Sequence, residues 1–464
     1  AANGVTVPIV ASNLRFDAGD EGDDALEAVA SAGLIRSKLV KDVGGIKVGL
    51  FGLLGADAAQ VTPMAAPVTF EAIADAAEGM VRELREDDGV DLVIALSHSG
   101  IDSDGNGEDR VLAEAVSGID IIVSGHTHDS LSEPVEAGGA VIVTAGSYGR
   151  YLGELAVTVT PSATAGEKPD VSVDDYALRE IDDSIEGDEA IESTIDDYRD
   201  DLDMILSAAG LASSAVVATT GTDLDLPEYA EAPIGNLVTD AYRAASAAAE
   251  PDDPAVIGVD ANGQIRAALQ EGETGEVWLA DLFRVVPLGI GPNQQPGFPL
   301  VTFYLNALDI RSGLELGAAR EVLPNDYFLQ VSGLKVEHDM SKPPFGRVAR
   351  VALVTDDGEE ELDFEDTDTC YKVVTTSYVA GLLGVVESAT SGLLAVNAKD
   401  DDCETLVNPT TRYIDRDPDE DGLQEIKQWQ ALLGYVSALP DTDDDDIPNI
   451  PEAYGAPQGR IVEQ

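Results

Sequence analysis

Three of the chain's four histidines stand where a metal site would need them. His98 closes the apolar run VIALSHSG, and His126 and His128 close IIVSGHTH. Each run reads as a parallel strand, and in open α/β sheets the ligand crevice lies beyond the carboxyl ends of the strands. Neutral imidazole is the commonest metal ligand near pH 7. Side chains two residues apart on an extended segment point the same way, so Gly125-His126-Thr127-His128 sends both rings in one direction. The pattern predicts that His98, His126 and His128 bind metal. His338, in VEHD, lacks this setting and reads as a surface residue. Ser97 and Ser124 flank the histidines without a nucleophile-elbow pattern.

Two acidic patterns could hold calcium. Asp417-x-Asp419-x-Asp421-Gly422 begins like an EF-hand loop, but position 12 is Gln428 in place of the usual Glu. Glu425, at position 9, is a substitute ligand. The competing expectation is an acidic start to the helix GLQEIKQWQALLGYVSAL, favoured by the helix dipole. The run Asp441 to Asp446 reads as solvated charge. Residues 44–55 are glycine-rich but lack the Lys-Ser/Thr of a phosphate loop.

The elements that would position these residues follow from apolar patterning. VTVPIVAS (5–12), IKVGLFGLLG (46–55), DLVIALSHSG (91–100), IDIIVSGHTH (119–128), AVIVTAGSYG (140–149) and LGELAVTVT (152–160) read as strands. They are continuous, as expected of strands buried on both faces. FEAIADAAEGMVRELRE keeps a helical period through Ile73, Ala76, Ala77, Met80, Val81 and Leu84, and EDRVLAEAV reads as a second helix. This alternation predicts a layered α/β domain over 1–165. Residues 166–212 read as a Pro- and acid-rich linker ending in a helix, IESTIDDYRDDLDMILSAAG. An α+β domain follows over 213–440, with the helix IGNLVTDAYRAASAAAE and strands in PAVIGVDANGQIR, LVTFYL, YFLQVSGLKVEHD, VARVALVT and YKVVTTSYVA. Residues 441–464 read as an acidic tail.

Composition narrows the partners. Lys and Arg number 27 against 88 Asp and Glu, a formal charge of −61, while 44% of the 464 residues are hydrophobic. A chain of this length can bury a sizeable core, so the acid excess belongs to a solvated surface. Such a charge disfavours nucleic acid, whose phosphates are met by Lys and Arg, and an anionic membrane surface. No apolar run reaches the ~18 residues of a membrane span. Cys370 and Cys403 are too few for a disulfide framework; one disulfide and two free thiols both remain open.

SHSGIDSDGNGEDRVLAEAVSGIDIIVSGHTHDSLSEP, followed by VIVTAGSYGRYLGELAVTV, resembles the second half of a calcineurin-like metallophosphoesterase. More narrowly it resembles the bifunctional 5′-nucleotidase/UDP-sugar hydrolase group. EAPIGNLVTDAYR, VDANGQIRAAL, FRVVPLG, FLQVSG and a final GRI run in the order of that group's C-terminal substrate domain. The resemblance implies a layered αββα metallophosphoesterase domain, incomplete at the N-terminus, plus an α+β substrate-binding domain. It implies two divalent ions, zinc, manganese or similar, that activate water on a phosphate ester outside the cytoplasm. His98 and His126 would bind one ion, and His128 would bind or adjoin the other.

The same resemblance carries Asn262 and Arg266 of NGQIR to the substrate, the guanidinium suiting bidentate contact with phosphate oxygens. The family stacks a base between two aromatics; here those positions read Leu288 and Tyr378, so base selectivity is expected to be loose. Gly381-Leu382-Leu383-Gly384 replaces the family's Gly-Gly-Asp-Gly. The family's Asp-x-His, Gly-Asp and Gly-Asn-His-Glu metal motifs are not in these 464 residues, and the spacing of Asn13, Asp17 and Asp20 does not fit them. The expectation is an N-terminally incomplete sequence; the alternative is a non-catalytic binding module with the same fold.

Overall fold

The continuous apolar strands are explained by what covers them. The computed structural model describes residues 7–62, 65–160, 162, 164, 169–182, 184–207 and 211–464. The chain forms two compact units, Ala1–Asp188 and Glu189–Gln464. In the first, six strands form one sheet in the order Lys38–Val43, Ile46–Leu54, Leu92–His98, Ile121–Val123, Ala140–Val143, Val135–Ala137. The inner four are parallel and the two edges antiparallel. Phe51, Leu53, Val93, Ala95, Ile122 and Ile142 pack on one face against Ala77 and Val81 of the helix Ile73–Arg82 and Leu112 of the helix Glu108–Ala115. On the other face Val48, Leu92 and Ile121 meet Leu155, Val157, Val159 and Val171. Successive residues thus enter opposite apolar layers, which removes the polar alternation of a half-exposed strand.

That second layer corrects one expectation. Asp170–Glu180, read as part of a 166–212 linker, is a strand paired antiparallel with Tyr151–Thr160. Its Val171 and Val173 carry a short period-2 signal, broken by a register shift before Tyr176, that the surrounding acids obscure. Part of the expected linker (166–168, 183, 208–210) and residues 5–6 of VTVP lie outside the described residues. The expected connecting helix spans Glu189–Ser207 and groups with the second unit.

The second unit has two four-stranded sheets. One runs Leu300–Asn306, Cys370–Thr376, Ile257–Ala261, Leu329–Ser332; the other runs Gly358–Glu361, Val348–Thr355, Leu334–His338, Ile461–Glu463. The turn from Ser332 to Leu334 demands glycine. Gly333 has φ +78°, and a Cβ there would lie 2.1 Å from the Val256 carbonyl oxygen. The helix Pro233–Ala249 buries Ile234, Leu237, Val238 and Tyr242 against Leu432 and Val436 of the helix Gln428–Ser437. Cys370 and Cys403 are joined in a disulfide across 33 residues.

Two further readings are corrected here. Residues 441–464 are not a loose acidic tail: Ile450 and Tyr454 enter the core, and Ile461–Glu463 adds an edge strand beside Leu334–His338. His338 is not on the surface. It is 3% exposed, in a strand flanked on both sides, and burial pushes its pKa down to about 4. Its two charged neighbours in VEHD, Glu337 and Asp339, hid its inward side of the strand.

Candidate functional site

In the first unit, parallel strand ends gather the predicted histidines. His98 ends its strand, and its carbonyl accepts from the Gly55 N–H at 3.1 Å. After Ile121–Val123 the chain turns through Ser124 and Gly125 into two left-handed residues, His126 (φ +85°) and His128 (φ +63°). Such backbone costs ~1–3 kcal/mol per residue and persists only where the surroundings impose it. Thr127 supplies one constraint: its hydroxyl donates to Ile101 O at 2.8 Å, and its methyl fills the space beside Gly100, where a Cβ would lie 2.4 Å away. Asp109 supplies the other. Fully buried, it accepts from Ser97 Oγ at 2.6 Å, from Ser124 Oγ, and from Gly100 N–H at 3.2 Å. Burial raises its pKa against the opposing hydrogen bonds from Ser124 and Ser97. The two serines therefore tie both histidine-bearing loops to one carboxylate.

The rings of His98 and His126 lie 5.0 Å apart, and His126 Nε2 is 3.0 Å from Asp57 Oδ2. Asp57 is held in turn: its N–H and that of Ala56 donate to Glu108 at 3.0 and 2.9 Å. The His98 pKa is lowered, first by burial, then by His126 and His128. A neutral ring keeps a lone pair for a metal. His128 turns aside, its ring edge-on to Tyr148 at 5.5 Å. The donor chemistry of His98, His126 and Asp57 fits a divalent transition ion. Neither that set nor His98, His126 and His128, however, makes one of the close three-ligand clusters found among the described residues.

Sequence reading missed Asp57, Glu108 and Asp109. Asp57 had a signal: it follows IKVGLFGLLGA at the end of a parallel strand, as His98 does. Asn13, by contrast, clamps backbone, bonding Leu54 O, Leu54 N and Glu71 O, while Asp17 and Asp20 close local turns through Gly19 and Gly22.

The second unit brings Arg266 and Tyr378 together. Burial pushes the Tyr378 hydroxyl pKa up, as do Tyr327 and Asp326, while the charge of Arg266 opposes the shift. Arg266 Nη1 donates to Gly263 O at 3.1 Å. Asn262 is 4% exposed, and its amide bonds Asn325 at 3.0 Å and Gln330 at 2.8 Å, a bracing position. Leu288 is not the aromatic partner of Tyr378; Phe298 is, with centroids 5.3 Å apart and planes at 33°. The Gly289–Gly297 loop makes this possible. Leu288 O accepts from Phe298 N–H at 2.9 Å, and a Cβ on Gly289 would meet the Phe298 ring at 2.4 Å. Gln428 Nε2 holds the loop through Val286 O and Leu288 O at 2.9 and 3.0 Å. Nothing in the local sequence singled out Phe298.

The calcium pattern does not close. Asp417, Asp419 and Asp421 are not among the three-carboxylate clusters found in the described residues. Glu425, 5% exposed, pairs with the buried Lys427 at 3.1 Å and accepts from the Asn293 N–H. Asp441, Asp443 and Asp445 do gather, all exposed.

Comparison with known proteins shows what a chain with this fold and site geometry is similar to. Residues 212–387 match the family described as 5′-nucleotidase, C-terminal domain. The chain is 26% identical over 354 residues to the trifunctional nucleotide phosphoesterase protein YfkN of Bacillus subtilis, covering 74% of this chain and 22% of that protein. It is 25% identical over 403 residues to the 5′-nucleotidase of Diplobatis ommata, covering 81% and 64%. Thus it spans less than two thirds of either relative. The crystal structure of a 5′-nucleotidase precursor from Thermus thermophilus shares the fold, with a TM-score of 0.70 at 23% identity over 99% of this chain and 79% of that one. The resemblance and the two-part α/β architecture read from the sequence are borne out.

Proposed function

We propose that the chain is part of a metal-dependent hydrolase of phosphate esters, with 5′-nucleotides or related nucleotide and sugar phosphates as substrates. The observation that carries this is the convergence of His98, His126 and Asp57 at parallel strand ends, within a fold shared with 5′-nucleotidases. When bound, divalent metal supplies an activated water and charge neutralisation at phosphorus. His98 and His126 would hold it through neutral rings, and His128 adjoins. Asp57 orients the His126 ring by accepting at Nε2 or joins it as a ligand. Asp109 keeps both loops in register. In the second unit Arg266 receives phosphate oxygens, Tyr378 and Phe298 present an aromatic face to a base, and Asn262 braces the Arg266 loop. The first unit serves as metallophosphoesterase domain and the second as substrate domain.

The setting is extracytoplasmic. The Cys370–Cys403 disulfide supports it, since such bonds persist in oxidising compartments. So do relatives described as a precursor and as a snake venom 5′-nucleotidase. Among the described residues no helix is long and apolar enough to cross a membrane.

The open geometry around His128 favours a second reading, a binding module with the same fold. Titration with zinc separates the two. Binding is expected, weak for these 464 residues, and lost when His98 and His126 are both changed to Ala. Identical isotherms for parent and double variant would end the metal reading. Phosphate released from a nucleoside monophosphate with manganese or zinc then tests hydrolysis. A metal-binding chain inert in every longer form would leave the binding module.

A further inference from the structure

The second unit contains an open cavity of about 340 Å3 that neither Arg266 nor Tyr378 lines. Arg243, Lys335 and Arg460 border it with two carboxylates, Asp240 and Glu359, a local charge of +1 in a chain of −61. Two of the cations are committed. Arg460 meets Asp240 at 2.8 and 2.7 Å, and Asp240 also accepts from Tyr454 Oη at 2.6 Å and from Ser332 Oγ. Lys335 bonds Glu359 at 2.9 Å, but Glu359 is shared with Arg350, also at 2.9 Å.

Arg243 differs. Its guanidinium gives one hydrogen bond, Nη1 to the neutral Ser332 Oγ at 3.2 Å. Its Nε is buried without a partner. Among the described residues no carboxylate oxygen forms an ion pair with it, although Asp240 lies close enough to act on its charge. Burial opposes that charge. Guanidinium does not neutralise in proteins, and a partly buried charge is costly where no hydrogen-bonded counter-ion meets it. Backbone shape preserves the space: a Cβ at Gly333 would lie 3.2 Å from Arg243 Cζ. Five N–H groups in a planar fork match the oxygens of a phosphoryl group.

We propose that this cavity is an oxyanion site, with Arg243 as its principal ligand and Lys335 at its rim, which takes a phosphoryl group. Its volume falls in the ~300–1,000 Å3 range of small-molecule sites, so the group arrives either as free phosphate or as part of a nucleotide. The proposal stands apart from the hydrolytic reading, because it concerns binding without metal.

Calorimetric titration with inorganic phosphate, and separately with AMP, in EDTA and low salt tests it. A phosphate site that persists in Arg266→Met is expected, weakening as sodium chloride is raised. In that background Arg243→Met should weaken it at least tenfold and Lys335→Gln a few-fold. With Arg266→Met in place, tighter binding of AMP than of phosphate would assign the site to nucleotides; equal binding would assign it to the free ion. No binding by the parent chain, or unchanged affinity in Arg243→Met, overturns the proposal. So does a loss on Arg266→Met as large as that on Arg243→Met, which would place the anion at the other cluster. Should Arg243→Met fail to fold, Lys335→Gln decides, since its exposed side chain serves no core: unchanged affinity there refutes the site.

Discussion

The strand-end histidines and the Arg266–Tyr378 pair are built by different means. The first hangs on strand ends whose direction is set by the sheet, and one buried carboxylate, Asp109, fixes both loops. The second hangs on a glycine-bounded loop, and its aromatic partner has moved from position 288 to Phe298. A site carried on a sheet keeps its residue positions, because moving one shifts the register of everything behind it. A site carried on a loop can change which residue does the work as long as a ring reaches the same place.

The largest expected effect comes from Asp109→Ala, which strands two buried hydroxyls and the Gly100 N–H. We expect a loss of about 1–3 kcal/mol for each buried donor left unpaired, read from the urea midpoint, together with loss of zinc binding. Zinc binding that survives would show that the histidine loops hold themselves. Breaking the Cys370–Cys403 link by Cys403→Ser should cost the second unit about 3–4 kcal/mol, on the chain-entropy scale for a loop of 33 residues. A drop in the stability of the first unit instead would contradict the division into two units.

His338 sharpens the comparison through pH. Its folded pKa of about 4 lies below the ordinary 6.5, so between these values the unfolded chain binds more protons. Stability is therefore present above pH 6.5 and lost as pH falls towards 4, by up to roughly 3 kcal/mol. Urea melts at about pH 7 and 5 should show this loss in the parent and its absence in His338→Leu; equal slopes in both would place the histidine outside the effect. The smallest effect concerns the aromatic face. Under the proposed function, Phe298→Ala and Tyr378→Ala should each raise KM for a nucleotide by an amount worth ~1–3 kcal/mol, sparing an aryl phosphate. Leu288→Ala should change little. A larger loss at Leu288 than at Phe298 would restore the position read from the sequence.

Periodicity and strand ends made much of the molecule legible. The four parallel strands, both flanking helices and the strand-end positions of His98, His126 and His128 stand where the apolar runs placed them. What escaped depended on partners far along the chain. His126 and Asp57 are 69 residues apart, and Gln428 and Val286 are 142 apart. Acid-rich segments misled twice, at Asp170–Glu180 and at 441–464, because one inward apolar residue among many charges is enough to dock a strand. His338 was misplaced for the same reason.

The Asp109 clamp also has a kinetic consequence. Its bonds to Ser97 and Ser124 join residues 12 and 15 positions away, so the cluster closes through short loops of chain. Short-range closure carries a small entropic penalty and tends to form early in folding. The Arg266–Tyr378 pair must wait for Gln428 to return over 140 residues to Leu288. In a refolding experiment, protection of the Gly100 amide should therefore precede quenching of the Trp429 indole, which anchors the same late loop through Pro296 O.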